Sequence, residues 1–155
     1  MSLLLALTIG FVAGLRSLTA PAAVSWAAWY GWLNLQGTPL EFMGSGVAVA
    51  IFTLAALAEY VADKLPRTPN RTSAGPLIGR IVLGGLSGAA LSVASGSSLL
   101  AGAVLGGLGA VLGAYAGYHA RRRLVTRLRV KDIAGALGED LIALLLAVLV
   151  VNALR

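Results

Sequence analysis

Runs of about 20 mainly apolar residues, the length a helix needs to cross a bilayer, follow one another along this chain with little polar sequence between them. Of its 155 residues, 58% are hydrophobic and only 12% charged, against roughly 25% charged in an average soluble domain. Mean hydropathy is +0.87. A soluble globule of this size would have to hide more apolar surface than it can enclose, since its exterior still needs polar cover. That excludes an ordinary cytosolic domain and a disordered tail. Cysteine is absent, which removes a disulfide scaffold, a thiolate metal site and a thiol nucleophile. The expectation is an all-α, polytopic helical membrane protein, with residues 1–155 as a single transmembrane domain.

The spans can be read in order. Leu3 to Leu33 is too long for one straight crossing and is interrupted by Arg16-Ser17-Leu18-Thr19-Ala20-Pro21. Proline lacks a backbone donor and biases its predecessor away from helix. A helix is therefore expected near Leu3 to Leu18, a break at Thr19 to Pro21, and a second helix to about Leu33. Whether this region crosses once or as two segments stays open. Trp26, Trp29, Tyr30 and Trp32 form an interfacial aromatic belt. The region lacks the charged start of a signal peptide and is kept as structure. After a turn-rich loop at Asn34 to Gly44, further spans are expected at Ser45 to Leu65, Pro76 to Ala94, Leu99 to Tyr118 and Ile133 to Leu154. That makes about five spans, the first broken near Pro21.

Charge orients them. Arg121, Arg122, Arg123, Arg127, Arg129 and Lys131 fall within eleven residues between apolar runs, and Lys64, Arg67 and Arg71 follow another. Basic clusters in short loops beside spans are the positive-inside pattern. It accounts for the net charge of +6 without nucleic acid. Both basic loops should be cytoplasmic, in a bacterial inner membrane, with Arg121, Arg122, Arg123 and Arg127 contacting anionic lipid headgroups or a partner.

Glycine recurs at spacings of four: Gly84 and Gly88 in one span, Gly102 and Gly106, then Gly109, Gly113 and Gly117, in the next. Such stripes let helices approach closely in lipid. They can serve packing within one chain or a homo-oligomer seam. Gly10 to Arg16 echoes Gly113 to His119, and Ala56 to Glu59 echoes Ala136 to Glu139, a weak hint of an internal repeat.

The residues able to carry chemistry are the ionisable ones in or beside apolar spans: Arg16, Glu59, Asp63, Arg80, Glu139 and Asp140, with Ser17 and Thr19 at the break. Burying an unpaired Arg or Asp at a helix centre costs about 2.5–3.5 kcal/mol on insertion scales. These groups either neutralise one another as a helix-fixing network or line an ion or solute path. Signatures of phosphate-binding loops, serine nucleophile elbows and zinc proteases are missing. His119 has no second histidine to join it in a metal site. No metal, cofactor or catalytic role is expected.

Gly14-Leu15-Arg16-Ser17-Leu18-Thr19-Ala20-Pro21 and Asp63-Lys64-Leu65-Pro66-Arg67-Thr68-Pro69-Asn70-Arg71-Thr72 resemble the domain of unknown function 4126 family. Arg80, the glycine-rich hairpin ending Gly117-Tyr118 and the Glu139-Asp140 pair are similar to the rest of its pattern. The resemblance implies an integral membrane α-protein and transfers no chemistry.

Three functions compete. The first, and the one that ionisable residues within apolar spans favour, is a small channel- or transporter-like protein moving an ion or small solute past Arg16 and the carboxylates. The second is a non-catalytic membrane scaffold or assembly factor whose charges are structural. The third is an enzyme on lipid headgroups, with Arg121 to Arg123 as phosphate contacts. A wet cleft reaching Arg16 and Glu59 would favour the first, a dry paired network the second, and an open pocket beside the arginines the third.

Overall fold

The computed structural model describes residues 2–63, 72–127 and 132–154. Within them the chain forms six α-helices: α1 Ser2–Leu15, α2 Thr19–Trp29, α3 Gly46–Ala62, α4 Ala74–Ala94, α5 Leu99–Arg127 and α6 Asp132–Asn152, with a 3-10 turn at Glu41–Gly44. Three segments, Ala74–Ala94, Leu99–Thr126 and Ala134–Asn152, are long and apolar enough to cross a membrane, and α1 and α3 are shorter apolar helices. The outward rows are apolar too, as at Val47, Ile51, Leu54, Leu57 and Val61 of α3 and at Leu100, Val104, Leu108 and Leu112 of α5. So much exposed hydrocarbon suits a lipid environment.

The first helix in the chain is the central one. α1 packs against α4, α5 and α6, with Ala6, Ile9, Val12 and Ala13 fully buried. Glycine makes the close approach, because a Cβ on Gly10 or Gly109 would collide with backbone of the facing helix. Between α4 and α5, a Cβ on Gly84 would lie 2.8 Å from Gly106 O, and one on Gly88 2.5 Å from Gly102 O. Gly84, Gly88, Gly102, Gly106, Gly109 and Gly113 all face neighbours of the same chain. Helices in lipid gain most of their association from such packing.

The same contacts give direction. α1 and α5 run parallel, Gly10 meeting Gly106 and Gly14 meeting Ala110 and Gly113, while α4 runs antiparallel to both. Ser2 Oγ lies 2.8 Å from Ser97 Oγ, so α1 starts at the end of the bundle that holds the α4–α5 turn. The opposite, basic end carries Arg121, Arg122 and Arg123 of α5. α2 then folds back towards the turn end, alongside α3. Thr19 hydrogen-bonds Tyr60 at 2.7 Å, Trp26 Nε1 donates to Thr53 Oγ1 at 3.0 Å, and Trp29 covers Gly46. α1 and α2 form a helical hairpin whose apex, residues 16–18, lies towards the basic end.

The break comes before the expected position. Pro21 does not interrupt a helix; it sits in the first turn of α2, where the missing N–H had no intrahelical acceptor and proline is tolerated. α5 also runs nine residues past the expected end at Tyr118, through Arg121–Arg123 to Arg127, because arginine is a good helix former outside the apolar layer. Extending the Gly88–Gly102 and Gly84–Gly106 register brings Ala74 level with Ala116. Residues 117–127 thus project about 16 Å beyond the start of α4. α2 and α4 close at Gly31 (φ 76°) and Gly96 (φ 69°), where Trp32 N–H and Ser97 N–H reach back to the Ala27 and Ser92 carbonyls, the left-handed helix stop glycine allows.

The sequence echo is not a structural repeat. Gly10 and Gly113 lie on parallel helices, whereas Glu59 is late in α3, running to the basic end, and Glu139 is early in α6, running away from it. Gly106→Ala should lower the unfolding midpoint in detergent, read by tryptophan fluorescence, by an amount corresponding to about 1–3 kcal/mol of overpacking. Gly135→Ala, where an added Cβ meets nothing within 4 Å, should leave it unchanged. Equal midpoints would mean that the seam has slack.

A candidate functional site at the hairpin apex

Breaking a helix among apolar neighbours frees the last carbonyls of one segment and the first amides of the next. In lipid such groups need partners within the protein. Here the partners are charged. Arg80 Nε donates to the Gly14 carbonyl at 3.1 Å, placing a cation on the C-terminal end of α1. Glu59 Oε1 accepts from Ser17 N at 2.9 Å and from Ser17 Oγ at 2.5 Å, and its Oε2 accepts from Leu18 N at 2.9 Å. An anion from α3 therefore sits on the N-terminal end of α2. Each charge has the sign that the helix dipole favours. Leu18, at the cap position of α2, has no polar side chain of its own, and Glu59 supplies what it lacks. Arg80 Nη2 also lies 3.9 Å from Glu59 Oε1, joining the two caps.

Arg16 occupies the break itself and is 0% exposed. Its Nη1 is paired with Asp63 at the end of α3, and its Nη2 lies 2.6 Å from Asp140 Oδ1 of α6, an approach outside hydrogen-bond alignment. The guanidinium carbon stands 5.5 Å from the centroid of the Tyr60 ring, within cation–π range. Among the described residues the backbones of α3 and α6 stay apart from each other. Arg16 links them through their carboxylates.

The structure thus brings Arg16, Ser17, Thr19, Glu59, Asp63, Arg80 and Asp140 together. Glu139 is buried beside Asp140 but faces a separate groove, of about 390 Å³, between α1, α5 and α6, which Arg121 also lines. Arg122 and Arg123 are exposed on the projecting part of α5. Arg127 ends that helix, and its side chain, like Lys64, Arg67, Arg71, Arg129 and Lys131, lies outside the described residues. Tyr60 was missed in the sequence. Its one signal was position: it follows Glu59 and stands one helical turn before Asp63, so it shares their end of α3.

Of three surface cavities formed by described residues, about 700 Å³ at the turn-end residues 28–45, about 390 Å³ beside Glu139 and about 380 Å³ along α2, none is lined by Arg16, Glu59, Asp63 or Asp140. Among the described residues no three His, Asp or Glu side chains group as a metal site. Arg16→Met should cost about 3–5 kcal/mol, since it leaves Asp63 and Asp140 buried without their shared cation. Unfolding in mixed micelles measures this. Adding Asp63→Asn and Asp140→Asn should recover part of the loss if the three act as one unit.

Comparison with known proteins agrees with the resemblance drawn from the motifs. Residues 3–153 match the family model described as Domain of unknown function (DUF4126), and the chain belongs to that family. No curated protein matches it, and no solved structure does.

Proposed function

We propose that this member of DUF4126 is a non-catalytic membrane scaffold or assembly factor, whose buried charges hold a re-entrant hairpin in place and whose basic end meets anionic lipid or a partner. One observation carries the reading: Arg16 is fully buried, with its guanidinium set between two carboxylates. That reverses the preference drawn from the sequence, where ionisable residues in apolar spans pointed to a path. A carboxylate committed to two backbone amides and a hydroxyl, as Glu59 is, is occupied as a cap.

In this reading α3 to α6 cross the bilayer of a bacterial inner membrane, and the hairpin dips in from the turn side. That arrangement replaces five spans by four crossings and a hairpin. The basic segments then lie in the cytoplasm by the positive-inside rule. Cysteine at Gln36 should be labelled only from outside, and cysteine at Arg71 or Arg122 only from inside. Labelling of Gln36 and Arg122 from one side would sink this topology. The glycine seams are filled within one chain, so self-association falls to the exposed apolar rows of the outer helix faces.

Transport remains the second reading, favoured by the hairpin itself, because discontinuous helices meeting within the membrane are a construction of solute sites. Purified protein in liposomes, screened for proton, cation, anion and small-solute flux beside Glu59→Gln, separates the two. The scaffold reading expects no flux above protein-free vesicles. A flux that Glu59→Gln abolishes while the protein stays folded would overturn it.

A further inference from the structure

The cavity of about 700 Å³ at the turn end lies within the segment that joins α2 to α3, and its volume falls in the range of small-molecule pockets. That segment is anchored from below and shaped from within. Leu33, Leu35, Leu40 and Met43 are buried. Asn34 Oδ1 accepts from Gln36 N at 3.1 Å, Glu41 Oε2 accepts from Gly37 N at 3.0 Å, and Thr38 Oγ1 donates to the Leu35 carbonyl at 2.7 Å. These bonds leave Glu41 Oε1, Asn34 Nδ2 and the Gln36 carboxamide without a partner among the described residues. All three side chains line the cavity.

We infer that this cavity binds a small organic ammonium that also carries hydroxyl groups. Three features favour the cation. Glu41 offers a free carboxylate oxygen, a charge-assisted acceptor. Phe42 lines the same cavity and is 51% exposed, and the face of an aromatic ring attracts an ammonium. Ala28 and Gly31 bring the C-terminal end of α2 to the wall, where the helix dipole is negative. The start of α3 also lines the cavity, at Gly44 and Ser45, but there Ser45 Oγ takes the Ala48 amide at 3.1 Å. One carboxylate suits one ammonium better than a divalent ion, which collects several oxygen ligands. The carboxamides of Asn34 and Gln36 supply donors and an acceptor for neutral hydroxyls. The site is independent of whether the protein moves a solute.

The test uses D-glucosamine, which combines an ammonium with hydroxyls, beside D-glucose, which has a hydroxyl in place of the ammonium. Saturation-transfer NMR on the full chain in phosphatidylcholine nanodiscs reads both, with empty nanodiscs as the blank. Wild type should bind glucosamine about tenfold more tightly than glucose, the factor expected for one charge-assisted bond over a neutral one. Glu41→Gln, whose amide oxygen can still accept from Gly37 N, should remove that preference and leave the thermal midpoint unchanged. Phe42→Ala should weaken glucosamine about threefold, and it keeps the test decisive if Glu41→Gln misfolds. Equal binding of the two sugars by wild type, no binding above the blank, or wild-type affinity in folded Glu41→Gln or in Phe42→Ala would overturn the site.

Discussion

A chain that breaks its helix away from water must find partners for every backbone group the break frees, and the rest of this molecule is arranged around that demand. The apex at residues 16–18 leaves carbonyls at the end of α1 and amides at the start of α2. Arg80 answers the first and Glu59 the second. Water would perform both tasks without cost to the fold. In apolar surroundings an unsatisfied amide or carbonyl costs several kcal/mol, so two charged residues are better placed there than none. Their charges then impose a further condition. They must balance locally, and the approach of Arg80 to Glu59 meets it.

The glycine stripes make this arrangement possible. Arg80 of α4 reaches the Gly14 carbonyl of α1 where both helices pack on α5, and a side chain on Gly84 would collide with Gly106 and Ala110 of α5. In water, glycine in a helix interior costs roughly 1 kcal/mol relative to alanine. In this bundle that penalty is offset by the dispersion contacts and capping distances that only close approach provides. Packing and polar satisfaction are therefore coupled along the α1–α4–α5 seam.

Much of this was legible in the residues. Helix positions, the convergence of Arg16, Glu59, Asp63, Arg80 and Asp140, and the helix interruption near residue 18 follow from apolar period and from the cost of isolated charge. The path of the chain was less legible, for a definite reason. A proline at Pro21 is compatible with a broken rod and equally with the first turn of a new helix, and the two differ only in which side chain caps the new N-terminus. That cap, Glu59, lies 42 residues from Ser17. No local rule reaches it. The separation of Glu139 from Asp140 was hidden similarly, because adjacent residues on a helix face different neighbours, and the register of α6 against α1 and α5 decides which.

The two features on either side of Tyr60 belong to one mechanical unit. α3 and α6 form the walls of an apolar groove of about 380 Å³ with α2 as its floor, yet among the described residues their backbones stay apart. What ties them at the inner end is Arg16, through Asp63 on one wall and Asp140 on the other. Tyr60 stands between, its ring against the guanidinium and its hydroxyl on Thr19 at the foot of the groove. The ion pairs, buried and costly to separate, thus define the spacing of the walls, and the floor helix α2 has its own start held by Glu59 from the same end of α3. A wider groove would require Arg16 to give up a carboxylate. The charge cluster lies outside the lining of the groove, and it fixes how far apart the two walls stand at that end.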